Sequence, residues 1–257
     1  MKTTYIKEFK QVQLRNPVII EGFPGLGLVG RIAIRYMVKS LGASRFAYLY
    51  SPHFPYSVIV NKKGSIRLLR GVFYYWINDK GKTDLILFTG DSQAQTIEGQ
   101  YEIADQMLNF AIKHNVKTIA TIGGYRVETT DKPKVFVAGT SDEVIRKALN
   151  AGAALSPSGG PIVGTAGLIL GLARFKKVEA MCLLGETRGY LPDPLAARSV
   201  LEVLRAIFDF NIDLSAMDKE IAKAETMVAR LKEIEEKRVL QAEETRREEG
   251  KKMTYIS

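Results

Sequence analysis

Residues 18–30 read VIIEGFPGLGLVG, an apolar run that passes directly into a glycine-rich turn. Residues 17–21 have the composition of a buried β-strand, and the glycines within residues 22–27 suit a tight loop. From residue 28 to residue 41 the apolar positions recur with helical periodicity. The sequence therefore predicts a strand, a loop and a helix, which together are the repeating unit of α/β proteins.

The sequence on the C-terminal side of this unit predicts further strands and helices. Short β-rich runs bounded by turn signals predict an antiparallel meander at residues 45–50, 57–61, 66–69 and 72–77. Other apolar runs predict strands at residues 84–89, 117–122, 135–137 and 178–184. Helical patterns follow the first of these strands and recur at residues 142–149, 162–175 and 194–208. The predicted fold class is α/β, with a mixed sheet flanked by helices and a parallel pair joined by a right-handed crossover.

The helix predicted at residues 162–175 is apolar on nearly all sides. Such a helix has to be covered almost completely, because exposed apolar surface is unfavourable in water. We expect the core of the domain or a neighbouring subunit to cover it.

The composition changes beyond residue 211, where lysine, arginine, glutamate and alanine dominate and glycine is absent until Gly250. This pattern predicts a long charged helix and divides the chain into an α/β domain at residues 1–213, a helix at 214–250 and a tail at 251–257. Apolar side chains at alternating spacings of three and four residues form a coiled-coil seam. We predict an oligomer contact through Met217, Ile221, Val228 and Leu231.

The formal net charge of +9 raises the question of a nucleic-acid partner. From Asp218 onward the basic and acidic residues balance, so the whole excess falls in the first 217 residues. There it is scattered, without a dense basic run or interleaved aromatic residues. This scattered distribution argues against a nucleic-acid partner. An acidic protein partner accounts for the positive charge equally well.

Other features indicate a cytoplasmic protein without a metal or a membrane span. No apolar run approaches the roughly 20 residues of a membrane-spanning helix, and the N-terminus lacks a secretory signal. Cys182 is the only cysteine and lies in an apolar run, so we expect it in the core. Neither His53 nor His114 has a second ligand at metal-binding spacing.

Residues 25–30, GLGLVG, match the Gly-x-Gly-x-x-Gly pattern of dinucleotide-binding turns, and they lie between a predicted strand and a predicted helix. The next strand, however, ends at residues 50–52 without the acidic residue that would bind a ribose hydroxyl. We therefore expect no cofactor and interpret these glycines as sites of close packing between strand and helix. A nucleotide- or nucleoside-binding α/β enzyme that uses this turn remains the alternative.

Polar residues follow the predicted strand at residues 84–89, where α/β enzymes commonly place their sites. The best catalytic candidates are Asp91, Ser92, Gln93, Glu98 and Glu102. We expect a structural role instead, with Asp91 or Ser92 capping the next helix and the glutamates near its N-terminus. The polar turn at residues 186–188 has no recognisable reaction geometry. We predict no catalytic residue.

Four blocks of this sequence resemble, in order, those of the proteasome assembly chaperone 2 family as found in archaea. They are VIIEGFPGLGLVG at residues 18–30, FTGDSQ at 88–93, IGGY at 122–125 and LLGET at 183–187. The resemblance spans about residues 16–210. It implies a nucleoside-phosphorylase-like fold without a demonstrated catalytic site, and self-association into rings or tetramers.

The resemblance also implies a role for the C-terminus, because archaeal members end in a hydrophobic residue, a tyrosine and any residue. That ending inserts between α-subunits of the proteasome core particle and activates it. Here the tyrosine is third from the end, and Ile256 or Met253 is the alternative hydrophobic contact. The predicted partner-binding residues are Lys251, Lys252, Met253, Tyr255, Ile256 and Ser257. A basic pair next to apolar anchors on a free end also suits insertion into a pocket.

These observations predict a non-catalytic proteasome assembly chaperone or activator. It would act as a homo-oligomer, a tetramer or pentamer, whose tails dock onto the α-subunits of the core particle. Besides the enzyme, one further alternative is a scaffold for another assembly factor, with its tails packed on its own core.

Overall fold

The computed structural model describes residues 1–81, 83–128 and 132–230. Its strands are β1 (Tyr5–Glu8), β2 (Val18–Glu21), β3 (Ser44–Tyr50), β4 (Val58–Val60), β5 (Ile66–Leu68), β6 (Gly71–Trp76), β7 (Leu85–Gly90), β8 (Thr118–Arg126), β9 (Val135–Gly139), β10 (Ala154–Leu155) and β11 (Glu179–Thr187). Its helices are α1 (Val29–Ser40), α2 (Ile97–Lys113), α3 (Asp142–Asn150), α4 (Thr165–Phe175) and α5 (Pro194–Phe208). A single 3-10 turn, Leu26–Leu28, precedes α1.

The main sheet has 9 strands in the order β1-β3-β6-β7-β2-β8-β11-β9-β10. β7, β2, β8 and β11 are parallel neighbours at its centre. β1, β3 and β6 extend it antiparallel on one side, and β9 runs antiparallel to β11 on the other. β2 and β7 are buried at every position, which explains why both are continuous apolar runs. The predicted mixed α/β sheet is confirmed.

Helices pack on both faces of this sheet. On one face, Ile19 of β2 and Ile86 of β7 belong to a buried cluster with residues of α2 and α4. Successive side chains of a strand point to opposite faces, so Ile20 faces the other layer, where α1 and α5 pack together.

Some elements differ from the sequence prediction. β4 and β5 pair only with each other, as a separate two-stranded hairpin, instead of continuing the meander. α4 starts at Thr165 and not at residue 162, because Gly164 has a φ of 90° that ends the helical geometry on that side. Thr165, Ile169 and Ala173 of α4 are buried, whereas Phe175 at its end is 86% exposed. The domain alone therefore leaves part of this apolar helix uncovered.

The chain divides into two compact units, Met1–Leu214 and Ser215–Ser257. In the second unit residues 217–230 are helical. Met217 and Ile221 are buried and Val228 is half-buried, while Leu231 lies outside the described residues. The continuation of this helix to residue 250 and the oligomer contact stay predictions, as does the likeness to nucleoside phosphorylases. In the described part of the chain, no helix is both long and apolar enough to span a membrane.

Candidate functional site

The glycine-rich turn lies at the carboxyl edge of the central sheet, and its glycines allow the chain to pack against itself. A Cβ atom on Gly22 would lie 2.3 Å from the carbonyl oxygen of Gly30. A Cβ atom on Gly30 would lie 2.7 Å from the carbonyl oxygen of Ile122. Both distances are far below van der Waals contact, so α1 can rest on β2 and β8 only because these residues are glycine.

The amides of this turn already have hydrogen-bond partners. The N–H of Gly27 donates to the carbonyl oxygen of Gly189 over 3.3 Å, and the N–H of Leu28 donates to Gly25 over 2.9 Å. The N–H of Val29 donates to Leu26. A dinucleotide turn instead points such amides at a pyrophosphate. This geometry favours the packing interpretation of the glycines over the cofactor-binding one.

The prediction that Asp91 or Ser92 caps α2 is wrong. Thr96 caps it and accepts a hydrogen bond from the N–H of Gly99 over 3.0 Å. A loop separates β7 from α2, which places Asp91 too far from the helix. The carboxylate of Asp91 accepts two hydrogen bonds from Arg67, over 2.5 and 2.9 Å, and one from the N–H of Arg70 over 3.0 Å. Burial opposes ionisation of Asp91, yet these bonds outweigh it and hold its pKa below the usual value.

The other catalytic candidates do not meet at one point. Ser92 donates to the carbonyl oxygen of Gln93 over 3.0 Å, and Gln93 donates to that of Pro24 over 2.7 Å. Glu98 is exposed in the first turn of α2. Glu102 instead accepts from the N–H and the hydroxyl of Thr4, over 2.9 and 2.7 Å, and so fastens the N-terminal segment to α2.

Glu102 also belongs to a hydrogen-bonded chain that the sequence analysis missed. His53 places its Nε2 3.1 Å from Glu102 and its Nδ1 2.8 Å from the hydroxyl of Thr96. The hydroxyl of Thr96 caps α2, and the carboxylate of Glu102 accepts hydrogen bonds from Thr4. Both side chains that contact His53 therefore have a structural role. No local spacing reveals this contact, since His53 and Glu102 come from distant parts of the chain.

A second buried acid was not singled out from the sequence either. Glu21, at the end of β2, is 1% exposed, and burial raises its pKa to about 8. Its Oε1 accepts from the N–H of Phe23 over 3.0 Å, while Oε2 has no hydrogen-bond partner in the described part of the chain. The carboxyl group is therefore mostly protonated at neutral pH. Cys182 is fully buried, as predicted, and burial raises the pKa of its thiol to about 12.

Across residues 1–81, 83–128 and 132–230, no group of three or more histidine, cysteine or acidic side chains is arranged to hold a metal ion. Among the described candidates, Asp91, Gln93 and Glu102 are held by hydrogen bonds within the fold.

One face of the β4–β5 hairpin is both apolar and exposed. Val58 lies opposite Leu68 and Val60 opposite Ile66, so these four side chains share a face. Val60 is 63% exposed and Ile66 is 67% exposed. Contiguous exposed apolar surface on a protein commonly marks an interaction site. We call these four residues the hairpin face.

The predicted partner-binding residues, Lys251 to Ser257, lie outside the described residues. Their contacts are therefore a matter for proposal.

Comparison with known proteins assigns the family. The profile of the PAC2 family matches residues 19–232, and this chain belongs to that family. The resemblance seen in the four sequence blocks is thereby confirmed.

Several relatives align along almost the whole chain. The crystal structure of Pyrococcus furiosus PbaB, described as an archaeal proteasome activator, is 35% identical with a TM-score of 0.85, covering 90% of this chain and 100% of that one. That of P. furiosus PbaA, described as an archaeal homologue of proteasome-assembly chaperone, is 28% identical with a TM-score of 0.74, covering 98% and 100%. The uncharacterized protein MJ1210 of Methanocaldococcus jannaschii is 32% identical over 95% of this chain and 93% of its own.

Proposed function

We propose that this protein is a non-catalytic assembly chaperone or activator that binds the proteasome core particle. The observation that carries this proposal is the likeness to PbaB, which extends over 90% of this chain at 35% identity. The family profile covers residues 19–232, a range that includes the central strands β2 (from Ile19), β7, β8 and β11 and all five helices from α1 to α5.

A binding role is also supported by the chemistry at the sheet edge. The amides of the glycine-rich turn bond to the chain itself, and Asp91 is neutralised by Arg67. A catalytic site needs a nucleophile, base or electrophile free to meet a substrate. Asp91, Gln93 and Glu102 are instead held by hydrogen bonds within the fold.

The contact with the core particle is proposed to lie in the C-terminal tail. Tyr255 and Ile256 supply the apolar anchors, and Lys251 and Lys252 supply positive charge for a carboxylate on the α-subunits. An anchor near the end of a chain can enter a pocket between two subunits without moving the folded domain.

A homo-oligomer, a tetramer or pentamer, would make such a weak contact effective. Once one tail is bound, the remaining tails bind at high effective concentration. The exposed hairpin face supplies apolar surface for contacts between copies. The seam of Met217, Ile221, Val228 and Leu231 is the further proposed contact.

Removal of the tail tests this proposal. The full chain and a chain ending at Gly250 are each mixed with an archaeal proteasome core particle, and hydrolysis of a fluorogenic peptide is followed. We expect the full chain to stimulate hydrolysis and the shortened chain to give no stimulation, because the anchors are gone. Light scattering should give both chains the same oligomer mass.

A pair of single substitutions refines the experiment. Tyr255→Ala removes the aromatic anchor, whereas Thr254→Ala next to it is the matched control and should stimulate like the unmodified protein. Equal stimulation by the shortened and full chains would contradict docking through the tail.

A further inference from the structure

Five arginines lie close to Tyr74 of β6 or to Asp91, the residue that follows β7. Arg31 and Arg35 come from α1, Arg45 from β3, Arg67 from β5 and Arg70 from the turn before β6. We call these five residues the arginine face. All belong to the first compact unit, so their mutual arrangement is part of one folded domain.

Tyr74 on β6 is close to three of these arginines, Arg35, Arg45 and Arg70. Arg45 lies opposite Tyr74 in the strand register. Burial raises the pKa of Tyr74, although the positive charges of Arg45, Arg70 and Arg35 act against this rise. The three guanidinium groups are therefore close enough to one side chain to act on it together.

The positive charge on this face is largely uncompensated. Asp91 is the only carboxylate among the described groups that shift the pKa of Arg31, Arg67 or Tyr74, and it is already bonded to Arg67. Arg35 and Arg45 are exposed, and neither forms an ion pair within the described ranges. Such an excess attracts acidic partners and is not expected from stability alone, because like charges repel one another in the folded state.

Aromatic side chains hold part of this face in place. The guanidinium of Arg70 lies 3.8 Å from the ring centre of Tyr48, and the ring of Phe9 lies 4.7 Å from that of Tyr48. A stacked guanidinium keeps N–H donors in its own plane, where they can reach a carboxylate side by side. The Nε of Arg70 is buried and has no hydrogen-bond partner among the described residues, so the exposed arginines of the face are the ones that can meet a carboxylate.

The same contacts distinguish between two kinds of acidic partner. Proteins that bind single-stranded nucleic acid stack bases on free aromatic rings. Here the ring of Tyr48 is already in contact with Arg70 and Phe9, which leaves less of it open to a base. Carboxylates need only guanidinium edges, and the exposed side chains of Arg35 and Arg45 offer them.

We propose that the arginine face binds an acidic segment of polypeptide through paired contacts between guanidinium groups and carboxylates. The face lies in the folded domain and does not include the C-terminal tail. It would give the protein a second protein contact, one that depends on charge and that salt weakens.

Fluorescence anisotropy with a labelled peptide of alternating glutamate and alanine tests the proposal on the full-length protein. The matched peptide carries glutamine in place of glutamate. We expect the acidic peptide to bind, the glutamine peptide not to bind, and added salt to weaken the binding. The double variant Arg35→Gln with Arg45→Gln should weaken binding by about tenfold, since two exposed ion pairs are lost.

The control variant removes the same charge elsewhere. Arg174→Gln with Lys177→Gln takes two exposed positive charges from the end of α4, on the opposite face of the sheet, and should leave binding unchanged. Thermal melting of both variants should match the unmodified protein, because all four side chains are exposed.

The proposal is overturned if the acidic peptide fails to bind, or if R35Q/R45Q binds it as tightly as the control variant does. It is equally overturned if a labelled single-stranded oligonucleotide binds as tightly as the acidic peptide at the same salt concentration. None of these results bears on stimulation of the core particle by the tail, so the two proposals can fail separately.

Discussion

The buried carboxyl group of Glu21 makes the stability of this fold depend on pH. It lies at the end of a central strand with one oxygen bonded to the N–H of Phe23 and the other without a partner in the described structure. Burial raises its pKa from 4.5 to about 8, so the folded protein keeps a proton that the unfolded chain releases.

This difference predicts how stability changes with pH. Between pH 4.5 and 8 the folded state binds more protons at Glu21 than the unfolded state does, so the contribution of Glu21 to stability is complete at low pH and is lost as the pH rises. At about 1.4 kcal/mol per pKa unit, the complete loss is on the order of 5 kcal/mol. Glu21→Gln removes the titrating proton and should raise the melting temperature at pH 8 much more than at pH 5.

Glu98→Gln is the matched control, because Glu98 is exposed in the first turn of α2. Melting curves of both variants and of the unmodified protein between pH 5 and pH 8 test whether Glu21 causes the loss of stability. If E21Q and E98Q follow the unmodified protein in parallel, Glu21 is not the buried titrating group described here.

For single residues, the sequence predicts whether a side chain is buried better than it predicts which residue that side chain bonds to. The apolar run around Cys182 correctly predicts its burial. The position of Asp91 after a strand indicated a helix cap, but its partner, Arg67, belongs to a hairpin that the sequence gives no reason to place beside it. Contacts between side chains that are far apart in the chain depend on the tertiary arrangement, which local patterns do not contain.

Among the elements, the β4–β5 hairpin is the one whose surface suits a further contact. A two-stranded hairpin has too little buried surface to be stable by itself in water, so its exposed apolar side is costly unless something covers it. Val58, Val60, Ile66 and Leu68 form that side. We expect another copy of this protein to cover it.

Replacing Val60 and Ile66 with serine tests this expectation. Both side chains are exposed in the single chain, so the folded domain should melt at nearly the same temperature while the mass measured by light scattering falls to that of a smaller species. Val163→Ser, at a residue that is 83% exposed elsewhere, is the control and should keep the full mass. An unchanged mass for V60S/I66S would contradict a role of the hairpin in assembly.

The elements differ in how far the sequence predicts them. β2 and β7 were predicted because strands buried on both faces must be apolar throughout. β1 was not predicted from the sequence, since it is a short edge strand with lysine and glutamate among its four residues. β10 has two residues, too few for any periodicity. The separation of β4 and β5 from the main sheet also escaped prediction, because strand pairing is not encoded in local patterns.

At the scale of the whole molecule, the chain has one α/β domain, which carries the arginine face and the hairpin face, and one C-terminal unit rich in charged residues. The net charge of +9 belongs to the first 217 residues, where the arginine face concentrates part of it. The sequence revealed this excess but not its clustering, because the five arginines come from α1, β3, β5 and the turn before β6 and meet only in the folded sheet.

The central claim is that this protein binds the proteasome core particle as an oligomer. Light scattering coupled to size exclusion, on the protein alone, on the core particle alone and on their mixture, tests it most directly. We predict a mass of several chains for the protein alone and, for the mixture, a single species heavier than the core particle by that same mass or twice that mass. Separate elution of the two components with unchanged masses would contradict the claim.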